Sequence, residues 1–450
     1  MESSHVIAIT NEEEKIDHVE KSNNKFQFRR ENKIHCYPVS ITSNLKGKEM
    51  KSDHNTRKMI HSIKVGISLV LVSLLYLLNP LFEQVGENAM WAIMTVIVIF
   101  EFSAGATLGK GINRGIGTIV GGGLGCIAAV FARSIGLGRV GNSIIIGASV
   151  FIFGSVATYF RMVPRIKKRY DYGVVIFMLT FNLIVVSGVH PDVKVWAIAR
   201  ERLLTILMGF IVCICVSLFL FPLWASDELH DSFVSRFLDL ANTIQEECTK
   251  MVSEKENPPS APSFNVCKSM LNSKSTDESL ANFAKWEPWH GKFGFSYPWG
   301  RYLKIGAELR EVATIILAVG RCLQASKEVD GFDGFIFLEQ PMGSLRQSQM
   351  VVLQTCEAIG SKVACVMQEL GESMKQMRKC EAKENILGQL KEEIGLVISK
   401  SKIGELEDGE VVAIASLVFL LMQVVEKVGE LVKGVEELGD VAGFRSSPAS

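Results

Sequence analysis

Long apolar runs follow one another between residues 60 and 222, separated by short polar connections, and they become rare in the second half of the chain. A helix needs about 20 mostly apolar residues to cross the hydrocarbon core of a bilayer, which is roughly 30 Å thick. Six segments approach this length, and each predicts a membrane-spanning helix. These segments are Ile60–Leu78, Ala89–Ala106, Ile112–Ala132, Ser143–Phe160, Tyr172–Val189 and Leu203–Leu223.

The part of the chain after Pro222 has the pattern of water-exposed helices. An amphipathic helix is predicted over 226–256, and further helices at about 300–328, 343–380, 385–400 and 409–438. The apolar run Val411–Val425 is short for a span and predicts a buried core helix, with a seventh span as the alternative. No segment has the alternation typical of a strand. The fold class predicted is therefore all-α, with a six-span transmembrane helical domain followed by a cytosolic helical-bundle domain.

Composition predicts three regions along the chain. Residues 1–57 are polar and lack a packed-core pattern, so they are predicted to form a disordered cytosolic tail. Residues 58–224 form the predicted transmembrane domain. Residues 225–450 form the predicted cytosolic helical domain, with a flexible linker near 255–278 that is rich in proline, serine and lysine.

Basic residues predict how the spans are oriented. Arg57 and Lys58 precede the first span, and a cluster of five cations between Arg161 and Arg169 follows the fourth. Because short cytoplasmic loops collect lysine and arginine, both termini are predicted to be cytosolic. Lys194, Arg200 and Arg202 lie before the sixth span, on the predicted outer side, and so break this rule.

The totals exclude several functions. The 48 basic and 48 acidic residues give a formal net charge of zero, whereas nucleic-acid binding needs a clustered basic excess. No zinc-type C-x-x-C pair, metalloprotease motif, nucleophile elbow or phosphate-binding loop occurs. We therefore predict that the chain is not an enzyme, needs no cofactor and does not bind nucleic acid.

Cations within or beside the apolar spans suggest an anion pathway, because ionisable groups in a membrane are costly and mark functional routes. The candidates are Lys64, Lys110, Arg114, Arg200 and Arg202. A set of fixed cations lowers the electrostatic cost of an anion between low-dielectric walls. Glu101 interrupts the second apolar run. It is interpreted either as a structural ion-pair partner or as a group that positions a cation during gating.

Three segments contain distinctive motifs, namely Asn88–Arg114 (NAMWAIMTVIVIFEFSAGATLGKGINR), Phe160–Thr180 (FRMVPRIKKRYDYGVVIFMLT) and Trp286–Gly291 (WEPWHG). Together they resemble the plant aluminium-activated malate transporter family. The resemblance extends over about residues 55–380. It implies an anion channel that passes malate and inorganic anions, built as a homodimer with six spans per subunit in the lipid bilayer. The plasma membrane is the expected location, ahead of the vacuolar membrane.

The resemblance also assigns residues. The family's basic pore positions match Lys64, Lys110, Arg114 and Arg202, although Glu201 stands where lysine is common. The family motif matches Trp286, Glu287, Pro288, His290 and Gly291, to which we assign a structural role.

Aluminium sensing in the family involves an outer carboxylate cluster, for which Glu83, Glu87 and Asp192 are weak metal-site candidates here. Because a trivalent ion needs several hard oxygen donors, we expect that aluminium does not activate this protein. The alternative function is a proton-coupled exporter of organic or aromatic acids, with Glu101 as the proton carrier.

Overall fold

A computed structural model describes the chain in ten segments, and the helices within them are numbered in chain order. The described residues are 43–77, 90–135, 138–189, 194–252, 264–294, 297–330, 343–380, 388–392, 394–395 and 408–445. The helices are α1 (Ser43–Leu77), α2 (Met90–Ile99), α3 (Ala104–Ile135), α4 (Gly138–Met162), α5 (Pro164–Ser187), α6 (Val195–Phe219), α7 (Ala225–Val252), α8 (Asn265–Leu271), α9 (Lys274–Ala284), α10 (Trp299–Asp330), α11 (Gly343–Gln376) and α12 (Asp408–Ala442). Backbone contacts divide the chain between Leu45 and Lys46, and the helices from α2 onward lie entirely in the second unit.

The described residues are nearly all helical. The only paired backbone segments among them are two isolated bridges, His290 with Phe293 and Arg378 with Arg445. The prediction of a helical protein is confirmed. Four of the first six helices are long and apolar enough to cross a membrane, namely α3, α5, α6 and the Val140–Met162 part of α4. Helix α2 is apolar but has only ten residues.

The boundary between the second and third predicted spans is wrong. The sequence predicts helix up to Ala106 and a new helix from Ile112, whereas α2 ends at Ile99 and α3 begins at Ala104. The reason is a serine cap: the Ser103 hydroxyl accepts a hydrogen bond from the Ala106 amide at 3.3 Å. Capping satisfies one of the free amides at a helix start, and thereby fixes where the helix begins.

Other helix boundaries also differ from the predicted ones. Helix α1 starts at Ser43, so residues 43–57 of the predicted disordered tail are helical. The cations between Arg161 and Arg169 lie on the ends of α4 and α5, which are separated by Val163 alone. Helix α6 starts at Val195, so Arg202 is not at its start but two turns inside it.

The predicted flexible linker near 255–278 is wrong over residues 264–278, which contain α8 and most of α9. Cys267 and Met270 on α8 and Asp277 on α9 are buried there. The Asp277 carboxylate accepts hydrogen bonds from Arg236 at 2.7 and 2.8 Å and from Arg310 at 3.1 Å. Serine and lysine make the composition of this segment linker-like, but its few apolar residues and one aspartate fasten it to α7 and α10.

Helices α7–α12, here called the C-terminal bundle, share one apolar core. Helix α7 packs against α11, and α10 packs against α12. The run Val411–Val425 lies within α12, where Leu417, Leu421 and Val425 are buried in this core. Among the described residues, this run therefore packs as part of a core helix.

Glycines in α3 allow a close approach to α5, as the sequence pattern predicts. A Cβ atom on Gly117 would lie 2.4 Å from the Gly173 carbonyl oxygen, and one on Gly121 would lie 2.7 Å from the Phe177 carbonyl oxygen. A Cβ on Gly115 would meet nothing within 4 Å. The helix backbones are therefore in contact on one side of α3 and free on another.

We predict that Gly117→Ala destabilises the protein by about 1–3 kcal/mol, because two rigid backbones must separate. Gly115→Ala is the matched control and should be neutral or slightly stabilising, since alanine favours helix. Thermal unfolding of each detergent-purified variant measures the difference. Equal melting temperatures for the two variants would contradict the packing.

Candidate functional site

Arg202 lies buried between the apolar helices. Only 3% of the Arg202 surface is exposed. The guanidinium carbon lies 3.9 Å from the centre of the Trp91 ring, which belongs to α2. The Nε atom and one terminal nitrogen of Arg202 are buried without a hydrogen-bond partner. Among the described residues, no carboxylate pairs with Arg202.

Arg114 on α3 is the second buried cation, and it is 5% exposed. One of its terminal nitrogens donates to the Tyr172 hydroxyl at 3.0 Å, while its Nε atom has no partner. Arg114 on α3 and Arg202 on α6 lie on two helices that pack against each other. Helices α3 and α6 cross closely, since a Cβ atom on Gly111 would overlap the ring of Phe210. This crossing keeps Arg114 and Arg202 in the same part of the helical interior.

Two buried threonines extend this polar interior. The hydroxyls of Thr118 on α3 and Thr180 on α5 are buried and have no hydrogen-bond partner. Thr118 is one helical turn beyond Arg114, and Thr180 packs against Gly121. Burying a polar group without a partner costs free energy, so each of these hydroxyls needs a partner that the described residues do not supply. The unsatisfied donors around Arg114 and Arg202 call for a group that accepts hydrogen bonds and carries negative charge.

The predicted cations Lys64 and Lys110 lie in different surroundings from the two arginines. Lys64 is buried on α1. Lys110 forms an ion pair with Glu101, and both side chains are about one-third exposed. This contact agrees with the interpretation of Glu101 as an ion-pair partner. The ring of His61 lies beside Phe100 and Phe102, with centroids 5.8 and 5.5 Å away.

Arg200 is exposed and so lies apart from the buried pair. The metal candidates Glu83, Glu87 and Asp192 lie outside the described residues. Within the described part of the chain, no group of three or more metal-binding side chains occurs.

Sequence reasoning assigned no role to Trp91, Tyr172 or His61. All three lie in or beside apolar runs, where an aromatic or histidine side chain usually means packing. Only the partner across the helix interface distinguishes them, and a single sequence does not show which helices are neighbours.

The Trp286–Gly291 motif forms the junction between α7 and the earlier helices. The Glu287 carboxylate accepts hydrogen bonds from the Ala225 amide at 2.6 Å, the Ser226 amide at 3.1 Å and the Ser226 hydroxyl at 2.6 Å. It therefore caps the N-terminus of α7; the helix dipole favours a negative charge there, whereas burial of the carboxylate opposes it. His290 contacts the same Ser226 hydroxyl at 2.9 Å and stacks on Trp224, with ring centroids 3.8 Å apart.

The same motif contacts the start of α3. A Cβ atom on Gly105 would lie 2.7 Å from the Glu287 side chain, and one on Gly109 would lie 2.9 Å from the Trp286 ring. The Arg169 guanidinium of α5 lies 4.8 Å from the centre of that ring. The motif thus joins α7 and α9 to the first residues of α3 and the first turns of α5.

These features define a helical membrane protein with buried arginines that no carboxylate of the described residues neutralises. Comparison with known proteins identifies its family. The family model described as "Aluminium activated malate transporter" matches residues 50–400, and the chain belongs to this family. This membership confirms the prediction that the chain is not an enzyme, since its relatives are named as transporters.

Several curated plant proteins are similar to the chain. It is 39% identical over 350 residues to aluminum-activated malate transporter 14 of Arabidopsis thaliana, covering 76% of this chain and 61% of that protein. It is 38% identical over 399 residues to transporter 2 of the same plant, covering 87% and 76%. Transporter 1 of Triticum aestivum is 33% identical over 408 residues, covering 87% and 83%. The chain thus spans about three-fifths of the length of the first of these relatives.

We predict that Glu287→Gln destabilises the protein by about 1–3 kcal/mol, because an amide NH₂ would face a donor at the start of α7. Burial raises the pKa of Glu287 above its ordinary 4.5, and the bonds from Ser226 and Ala225 only partly oppose this. The folded protein therefore keeps the Glu287 proton to higher pH than the unfolded chain. Consequently this group's contribution to stability falls as pH rises above 4.5.

Melting temperatures of the detergent-purified proteins at several pH values above 4.5 measure both the loss of stability and its pH dependence. Glu287→Gln should melt lower and lack the Glu287 component of the pH dependence. Glu372→Gln is the control, since Glu372 makes only exposed contacts with Lys375 and Gln376. A Glu287→Gln protein that melts like the control would contradict the capping role.

Proposed function

We propose that this protein is an anion channel that lets malate and inorganic anions pass a plant membrane down their electrochemical gradient. The observation that carries the proposal is the pair Arg114 and Arg202, two buried cations with unsatisfied hydrogen-bond donors and no carboxylate partner among the described residues. The family membership and the names of the relatives support malate as a substrate.

A charge buried in a low-dielectric interior is costly. A guanidinium removed from water loses several kcal/mol of solvation unless an opposite charge replaces it. A passing anion supplies that charge for a short time, and the neighbouring arginine adds to the attraction. A dicarboxylate gains roughly twice the attraction of chloride at the same distance. Arginine also matches the planar geometry of a carboxylate, which lysine does not.

The rest of the proposed pathway uses the other candidates. We assign Lys64 and Lys110 to the cytosolic side, where they concentrate anions, and Arg200 to the outer side. The proposal includes six spans formed by α1–α6, both termini in the cytosol and a cytosolic C-terminal bundle. The homodimer and the plasma membrane as location rest on the family resemblance alone, and we expect no activation by aluminium.

We predict that Arg202→Gln lowers the anion current at least about tenfold at equal surface density, because a neutral side chain no longer offsets the cost of a buried anion. Lys375→Gln is the control: this lysine lies in the C-terminal bundle, its side chain is 60% exposed and it is no part of the proposed pathway, so its substitution should change the current less than about twofold. Whole-cell voltage clamp with malate, nitrate and chloride measures both. Equal effects of the two substitutions would remove the buried pair from the pathway.

The proton-coupled exporter is distinguished by Glu101. A proton carrier must release and rebind its proton during transport, whereas the Glu101 carboxylate is paired with the Lys110 ammonium. We predict that Glu101→Gln keeps an anion current whose reversal potential follows the anion gradient at every external pH between about 5 and 8. Loss of transport, or a reversal potential that shifts with the proton gradient in the wild type, would favour the exporter.

A further inference from the structure

We infer that Trp91 is a positioning residue, which holds the Arg202 guanidinium in one plane and thereby makes the site prefer oxyanions over chloride. This inference rests on the proposed function. It is carried by the 3.9 Å separation between the Arg202 guanidinium carbon and the Trp91 ring centre, together with the free donors on the same guanidinium.

The contact between α2 and α6 fixes the position of the Trp91 ring relative to the Arg202 guanidinium. A Cβ atom on Gly209 would lie 2.8 Å from the Ala92 carbonyl oxygen and 3.0 Å from the Thr95 Cβ atom. The two backbones thus meet one residue beyond Trp91 and two turns beyond Arg202. Since neither helix can slide without a clash at Gly209, the ring stays over the guanidinium.

An aromatic ring differs from a carboxylate as a partner for arginine. A carboxylate neutralises the charge and occupies the N–H donors at the edge of the guanidinium. A tryptophan ring attracts the cation through its face and occupies no N–H donor. Trp91 therefore stabilises the buried charge of Arg202 while leaving its edge available, as the unpartnered Nε and terminal nitrogen show.

This arrangement has a consequence for selectivity. A guanidinium fixed in one plane presents its donors in a fixed geometry, which suits the oxygens of a carboxylate or nitrate. Chloride is spherical and gains little from that geometry. Releasing the guanidinium from the ring should therefore weaken oxyanion binding more than chloride binding.

The experiment compares Trp91→Leu with Trp91→Phe, which keeps an aromatic face, in the full-length protein at measured surface density. Voltage clamp gives the malate-to-chloride and nitrate-to-chloride permeability ratios and the half-saturating malate concentration. We expect Trp91→Leu to lower the malate-to-chloride ratio about fivefold, as loss of a buried cation–π contact implies. Trp91→Phe should fall between Trp91→Leu and the wild type. Trp196→Leu is the control for loss of a tryptophan, since Trp196 is 71% exposed on the same helix as Arg202.

A double-mutant cycle with Arg202→Lys separates positioning from packing. Lysine keeps the charge but lacks the plane, so Trp91→Leu should have no further effect on the ratio in that background. An effect of the same size that persists in the Arg202→Lys background would overturn the inference, because Trp91 would then act through packing.

Two further outcomes are decisive. Wild-type ratios in both Trp91 variants, with an altered ratio in Arg202→Lys, would overturn the inference and leave the proposed function standing. Unchanged ratios and currents in Arg202→Lys and Arg202→Gln would overturn the proposed function itself. If Trp91→Leu fails to reach the surface, the comparison of Trp91→Phe with wild type in both backgrounds decides the question.

Discussion

The cost of removing a guanidinium from water is the constraint on which the apolar half of this molecule depends. Arg114 and Arg202 are buried between helices that offer them a tyrosine hydroxyl and an indole ring, and the described residues supply no carboxylate. Such partners lower the cost of burial but do not cancel the charge. The glycines of α3 make this possible, because only closely packed helices bring Tyr172 and the two arginines into one interior.

In the C-terminal bundle, by contrast, largely buried arginines are paired with a carboxylate. Arg236 and Arg310 are also largely buried, but both donate to the Asp277 carboxylate, with a shortest contact of 2.7 Å. There the pairing fastens α9 to α7 and α10, and breaking it would leave a buried charge uncompensated. The contrast gives the membrane-half arginines their significance: Asp277 neutralises Arg236 and Arg310, whereas no carboxylate of the described residues meets Arg114 or Arg202.

Those parts of the fold and of the candidate site that depend on local sequence pattern could be predicted. Apolar runs of about 20 residues predicted the regions of α1–α6, and charges within or directly beside those runs made Arg114 and Arg202 candidates, because both signals are local. The break at Phe100–Ser103 was missed because it depends on one serine cap inside an apolar stretch. The helices near Asp277 were missed because their polar composition is typical of a linker, whereas their contacts are distant in sequence. The roles of Trp91 and Tyr172 depend on which helices are neighbours, and periodicity does not carry that information.

The junction around Glu287 lies where a change in the C-terminal bundle would reach the buried arginines. The Ala104 amide donates to the Leu223 carbonyl at 2.9 Å, so α3 starts within the same hydrogen-bonded corner as α7. Arg114 lies ten residues further along α3, about 15 Å at roughly 1.5 Å per residue. Lys168 of α5 bonds Glu278 of α9 at 2.6 Å, and Tyr172 follows one turn later. A displacement of α9 would therefore act on the starts of α3 and α5 together, the two helices that supply Arg114 and its hydroxyl partner. Coupling of this kind requires helices that move as rigid bodies, and the backbone contacts of α3 with α5 at Gly117 and Gly121 make the pair one such body.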